Sequence, residues 1–160
     1  ETRAEGFDHA RHRVRLLVAA DGSHRIEAGA LETESETAPV RLGLAAEPVK
    51  RDDPFLHFKT TNREVYDRAL ASRPDCDDVL LWNERGEVTE SSIANLVVRI
   101  DGELVTPPVR CGLLAGTFRA ELLERAEIVD RVIRVEELSR AESLFLINSV
   151  QGWRNVDWVD

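Results

Sequence analysis

A chain of 160 residues with a net charge of −9 is one ordinary domain, or one domain plus a fragment of another, and it is long enough to bury a core. The acidic balance argues against non-specific nucleic-acid binding and against an anionic membrane surface, and no apolar run approaches the ~20 residues that span a bilayer. Two cysteines, Cys76 and Cys111, suggest no disulfide framework and fit a reducing, cytoplasmic compartment.

The chain begins Glu1-Thr2-Arg3, with no initiator Met, no signal peptide and no Met anywhere, so the expectation is a processed protein or a piece of a longer one. His9 and His12 lie close together without a third ligand nearby, and a solvated charged segment, not a metal site, is expected there. Arg13 to Ala20 reads as a strand, Asp21-Gly22-Ser23 as a turn and Arg25 to Leu31 as the returning partner. Glu32 to Pro39 is polar, acidic and ends in Pro, which marks a linker. Val40 to Ala45 is a strand and Pro48 to Pro54 a charged loop. Thr61-Asn62-Arg63-Glu64 fits a capping box, followed by a helical face of Val65, Tyr66, Ala69 and Leu70. Val79 to Trp82 is a short strand and Asn83 to Gly86 a turn. Ile93 to Ile100 and Glu103 to Thr106 form a hairpin about Asp101-Gly102, ended by Pro107-Pro108. Cys111 to Gly116 is a glycine-bounded loop leading into a helix over Thr117 to about Ala126. Ile128 to Val135 is predicted as a strand, then a short acidic helix, the apolar strand Leu144 to Ile147 and a polar loop over Asn148 to Trp153. Strands interleave with few helices, so a mixed α/β domain with a sizeable, partly antiparallel sheet and flanking helices is expected.

The basic residues are nearly all Arg; the only lysines are Lys50 and Lys59. An amine can lose its proton and attack a carbonyl, which a guanidinium cannot do. Lys50 sits in the solvated run Lys50-Arg51-Asp52-Asp53, whereas Lys59 ends an apolar stretch, where burial would favour the neutral amine; a snorkelling surface lysine is the plain alternative. Glu90, within Glu87-Val88-Thr89-Glu90-Ser91-Ser92-Ile93-Ala94-Asn95, is a carboxylate among small polar residues that could hold a heterocyclic nitrogen protonated, or could be a solvated edge-strand residue. Gly112 to Thr117 opens a helix, where backbone N–H groups and the helix dipole suit a phosphate, or simply form an N-cap. Asn148-Ser149 stands at a strand end, as a site or as a turn. An amine, a carboxylate and a phosphate cradle are together what a pyridoxal-phosphate site needs.

The stretches Lys59-Thr60-Thr61-Asn62-Arg63, Glu87 to Leu96, Thr106-Pro107-Pro108, Gly112-Leu113-Leu114-Ala115-Gly116-Thr117-Phe118-Arg119 and Asn148-Ser149, in this order, resemble the class-IV aminotransferase family, the fold-type IV pyridoxal-phosphate enzymes. Over DDVLLWNERGEVTESSIANLVV and FLINSVQGWRNV the chain looks most like the lyase branch, the 4-amino-4-deoxychorismate lyases, especially those fused behind aminodeoxychorismate synthase component I. The resemblance implies formation of p-aminobenzoate and pyruvate, on the way to folate, or else a branched-chain or D-amino-acid aminotransferase; a non-catalytic remnant or interaction domain is the rival of another class. Position by position, Lys59 matches the Schiff-base lysine and general base, and Glu90 the partner of the pyridine nitrogen. Asn95, Leu114, Gly116, Thr117 and Phe118 match the elements that hold the ring and phosphate, and Ser149 a hydroxyl on the phosphate. Glu64 stands where aminotransferase relatives often carry a Tyr, and Tyr66 is out of register with it. The resemblance further implies that residues 1–33 are the C-terminal remnant of a small domain, 34–39 the linker and 40–160 the large cofactor-binding domain, with a phosphate-binding Arg left outside this chain. Residues 1–160 alone would then leave Lys59 more solvated and lack activity. A homodimer is implied, with no nucleic-acid or membrane partner.

Overall fold

The computed structural model describes residues 12–31 and 38–160. His9 and most of the predicted linker lie outside the described residues. The chain divides into two compact units, the second beginning at Ala38. The described part of the first is an antiparallel hairpin of β1 (His12–Val18) and β2 (His24–Ala30), paired residue for residue from His12 opposite Ala30 to Val18 opposite His24. Gly22 takes a positive φ in its turn, and the Asp21 carboxylate accepts from the Ser23 N–H at 2.9 Å.

The second unit is built on one mixed eight-stranded sheet. Its strands are β3 (Val40–Leu44), β4 (Asp78–Trp82), β5 (Val88–Ser91), β6 (Asn95–Ile100), β7 (Glu103–Thr106), β8 (Val129–Asp130), β9 (Ser143–Asn148) and β10 (Gly152–Val159). They stand in the order β5-β4-β3-β10-β9-β6-β7-β8, parallel at β10–β3, β3–β4 and β7–β8 and antiparallel elsewhere. One further pairing, of β5 with β6 through Glu90 opposite Asn95, closes six of these strands into a ring.

The core follows from the two-residue period of the strands. Leu80 on β4, Leu96, Val98 and Ile100 on β6 and Leu146 on β9 turn to one side, with Leu42, Val88 and Ile133. The alternate residues of the same strands turn to the other side. Val79 and Leu81 pack under the one-turn helix α1 (Pro54–His57) and α2 (Glu64–Ala71), against Leu56 and Tyr66. Val97 and Ile147 pack under α3 (Thr117–Glu124), against Leu122 and Phe118. Among the described residues no helix is long and apolar enough to cross a membrane.

Four local expectations are corrected. The capping box at Thr61 does not form: the helix starts at Glu64 with Arg63 as N-cap, and the Asn62 carboxamide oxygen, not Thr61, accepts from the Glu64 N–H at 3.3 Å. The predicted strand Ile93 to Ile100 starts two residues later, at Asn95. The turn Ser91 to Ala94 separates β5 from β6, and Ile93 is exposed at its tip. The predicted strand Ile128 to Val135 forms a strand only at Val129–Asp130, with one isolated bridge from Arg134 to Glu87, because the chain leaves the sheet edge to bury Ile133, whose carbonyl accepts from the Val88 N–H; the acidic helix after it is a 3-10 turn, Val135–Arg140. The predicted polar loop ends at Gly152, where β10 begins.

β10 fills the gap between β3 and β9, so truncation after Gln151 opens the ring. Calorimetry of that truncated chain is expected to show no cooperative transition for the second unit. A transition close to that of the full chain would mean the ring does not need its central strand.

Candidate active site

Closure of the ring brings Glu90, Asn95, Leu114 and Gly116 together. Glu90 lies on β5 and is 4% exposed, so its carboxylate stands in the core. A buried carboxylate survives there only with donors, and it has three. Oε1 accepts from the Tyr66 hydroxyl of α2 at 2.8 Å and from the Leu114 N–H at 3.1 Å. Oε2 accepts from Asn95 Nδ2 across the ring closure at 3.1 Å. Burial raises the Glu90 carboxyl to about 8, while the Tyr66 hydroxyl, the Leu114 N–H and the charges of Lys59 and Arg63 hold it down. Tyr66 is raised in turn, first by burial and then by the Glu90 charge and hydrogen bond.

Asn95 serves two masters. Its Nδ2 also donates to the Leu114 carbonyl at 2.9 Å, which ties β6 to the glycine-bounded loop. Its Oδ1 lies where a Gly116 Cβ would be, 2.1 Å away, so only glycine fits at 116 while Asn95 keeps this orientation. Gly116 is the N-cap of α3 and offers no side chain, so the N–H groups of the first turn have no side-chain cap. Thr117 opens that turn, and its hydroxyl lies 2.6 Å from the Ser149 hydroxyl at the β9–β10 turn. Two exposed hydroxyls and an uncapped helix start form a cradle suited to an anion. Arg119 does not reach it: that side chain is buried and bonds the Pro107 carbonyl, Thr106 and Asp130.

Lys59 lies in the loop after α1 and is exposed, the surface position that the sequence left open as the alternative to a buried amine. The one turn of α1 puts Leu56 in the core and returns Phe58 and Lys59 to the surface. Its charge nevertheless acts on Glu90. Phe118 packs on the core beneath α3, and Asn148 caps its own turn by accepting from the Val150 and Gln151 N–H groups. Glu87, three residues before Glu90, accepts from Asn83 Nδ2 at 2.8 Å. Sequence reasoning missed Tyr66 and Arg63. Arg63 donates to the Ser92 carbonyl at 2.8 Å and stacks over the Tyr66 ring.

The sequence pattern of class IV amino-transferases matches residues 2–158. The chain belongs to this family. The family comprises pyridoxal-phosphate-dependent enzymes, aminodeoxychorismate lyases and aminotransferases among them. A Schizosaccharomyces pombe protein provisionally named an aminodeoxychorismate lyase is 33% identical over 150 residues, 89% of this chain and 64% of that protein. A provisionally named amino-acid aminotransferase structure from Mesorhizobium loti superposes with a TM-score of 0.86 at 34% identity, over 92% of this chain and 73% of that one. The 4-amino-4-deoxychorismate lyase structure from Pseudomonas aeruginosa gives 0.70 at 29% identity, over 89% and 57%. The chain spans between 34% and 64% of the length of the curated relatives it matches.

Within this class IV chain the Glu90 carboxyl has a signature in stability. Its native pKa is raised from 4.5 to about 8, so between those values the folded state keeps a proton that the unfolded state has lost. Stability therefore falls as pH rises through that window. In Glu90→Gln this component of the slope disappears. Thermal midpoints of the two proteins from pH 5 to pH 8, without cofactor, are expected to diverge in pH dependence; parallel profiles would mean Glu90 does not carry the buried proton.

Proposed function

We propose that this chain is the cofactor-binding part of a pyridoxal-phosphate-dependent lyase that converts 4-amino-4-deoxychorismate to p-aminobenzoate and pyruvate for folate biosynthesis. The observation that carries the reading is the buried Glu90 carboxylate, fixed by three donors and acted on by the charge of Lys59. Solvent-facing groups need no such fixation; a carboxylate that must meet a heterocyclic nitrogen in a set direction does.

The residues present suit the cofactor. Lys59 would hold it through its amine. Glu90 would face the ring nitrogen. The start of α3, with Gly116, Thr117 and Ser149, would receive the phosphate, with Leu114, Asn95 and Phe118 shaping the loop behind it. When bound, the group supplies an electron sink. The chain's own residues supply the rest. The Lys59 amine, in the loop between α1 and α2, takes the proton from the substrate carbon that bears nitrogen. Glu90 in its ionised form keeps a proton on the ring nitrogen by opposing its charge. The α3 start keeps the phosphate in register with both.

The lyase names of the S. pombe and P. aeruginosa relatives support this reaction. A second reading, an amino-acid aminotransferase, is favoured by the closeness of the M. loti structure. The same proposal includes a cytoplasmic homodimer, fused to or associated with aminodeoxychorismate synthase component I.

Pyruvate release from 4-amino-4-deoxychorismate without any amino acceptor is the outcome expected of the lyase; dependence on a 2-oxo acid acceptor would select the aminotransferase. In the complete protein, Lys59→Arg is expected to lower turnover by at least about a hundredfold despite the retained charge, since a guanidinium neither condenses with a carbonyl nor acts as the base. Turnover near the parent value would remove Lys59 from the chemistry.

A further inference from the structure

Seven residues after Lys59, the chain is tied to Glu90. Tyr66 is wedged among Val49, Leu56, Val79 and Leu81, and the Arg63 guanidinium lies 4.9 Å above its ring, so the phenol has no room to swing. Its hydroxyl points at Glu90 Oε1. The other donor to that oxygen is a backbone N–H, and the other side-chain donor, Asn95, serves Oε2. Arg63 adds a second tie between α2 and the β5–β6 turn through the Ser92 carbonyl. The start of α2 is thereby anchored to the strand pair that carries the carboxylate.

We propose that Tyr66 is a positioning residue for Glu90: its hydroxyl pins Oε1 and favours the ionised carboxylate, while the same bond fixes the end of the loop that carries Lys59. The functional meaning rests on the reading of Glu90 as the ring-nitrogen partner; the bond itself does not. The charged and titratable groups that act on Glu90 are Tyr66 and Arg63 from α2, Lys59 from the preceding loop and Arg119 from α3; β6 and the glycine-bounded loop contribute the neutral Asn95 side chain and Leu114 N–H. Of these, Tyr66 opposes the effect of burial most strongly. Without it the Glu90 midpoint, already raised by burial, would climb further above neutral pH, and a neutral acid cannot hold a cationic ring nitrogen by charge.

Tyr66 is the sole tyrosine of the chain, which makes the pair directly readable. The test uses the full chain without cofactor. The Glu90 carboxyl carbon, identified by its loss in Glu90→Gln, is titrated by NMR in the parent and in Tyr66→Phe, which keeps the ring volume. The Phe variant is expected to raise the Glu90 midpoint by about one to two pH units, the worth of one hydrogen bond to a charged group. As an arm that needs no folded Phe variant, tyrosinate absorbance is followed in the parent and in Glu90→Gln. Removal of the neighbouring anion is expected to lower the Tyr66 midpoint. An unchanged Glu90 midpoint in Tyr66→Phe, or an unchanged tyrosinate midpoint in Glu90→Gln, would overturn the proposal. Cofactor uptake is read separately by absorbance after adding pyridoxal phosphate, so a chain that passes these titrations and takes up none refutes the proposed function while leaving the Tyr66–Glu90 pair standing.

Discussion

A carboxylate in a protein core is tolerated only where donors replace the water it has lost, and removing one of them leaves a cost of several kcal/mol. In this chain that requirement falls at the closure of the ring. Glu90 and Asn95 are the facing pair that joins β5 to β6, and the same two side chains are joined by a hydrogen bond. The remaining donors come from α2 and from the glycine-bounded loop. One buried carboxyl group thus sets the relation of a helix, a loop and two strands. The Asn95 carboxamide passes the constraint on, since it grips the Leu114 carbonyl with one end and excludes a side chain at Gly116 with the other.

The start of α3 is held from beneath as well. Arg119 is buried and spends its donors on the Pro107 carbonyl, Thr106 and Asp130, and the Thr106 hydroxyl donates to the Leu96 carbonyl. That network fixes the first turn of α3, and with it Thr117, on the sheet. Lys59 is different in kind. It stands exposed on a short loop between two helices, with Leu56 before it and Tyr66 after it as the buried anchors. Glu90 and the start of α3 are fixed by hydrogen bonds, whereas Lys59 is carried on an exposed loop.

Much of this arrangement was legible in the sequence because it rests on local chemistry. Asp101-Gly102 announces its hairpin because that turn needs positive φ at both positions, and both have it. The rarity of lysine drew attention to Lys59, and the small polar residues around Glu90 to the carboxylate. What was hidden is hidden for physical reasons. β10 alternates faithfully, but Arg154 occupies one of its inward positions, so the apolar half of the pattern is broken; that arginine bonds the Ala38 carbonyl instead. The Tyr66–Glu90 bond joins residues 24 apart, and no local period reports it. The exposure of Lys59 follows from α1, a single turn that spends Leu56 on the core and leaves Phe55 and Phe58 outside.

The proposed function requires that Lys59, and not Lys50, be the amine facing this site. It is tested most directly by incubating the full protein with pyridoxal phosphate, reducing with borohydride and mapping the modified peptide by mass spectrometry. With two lysines in the chain the answer is binary. A stoichiometric adduct on Lys59 is expected, lost in Lys59→Arg and weakened in Glu90→Gln. An adduct shared equally with Lys50, or one indifferent to Glu90, would contradict it.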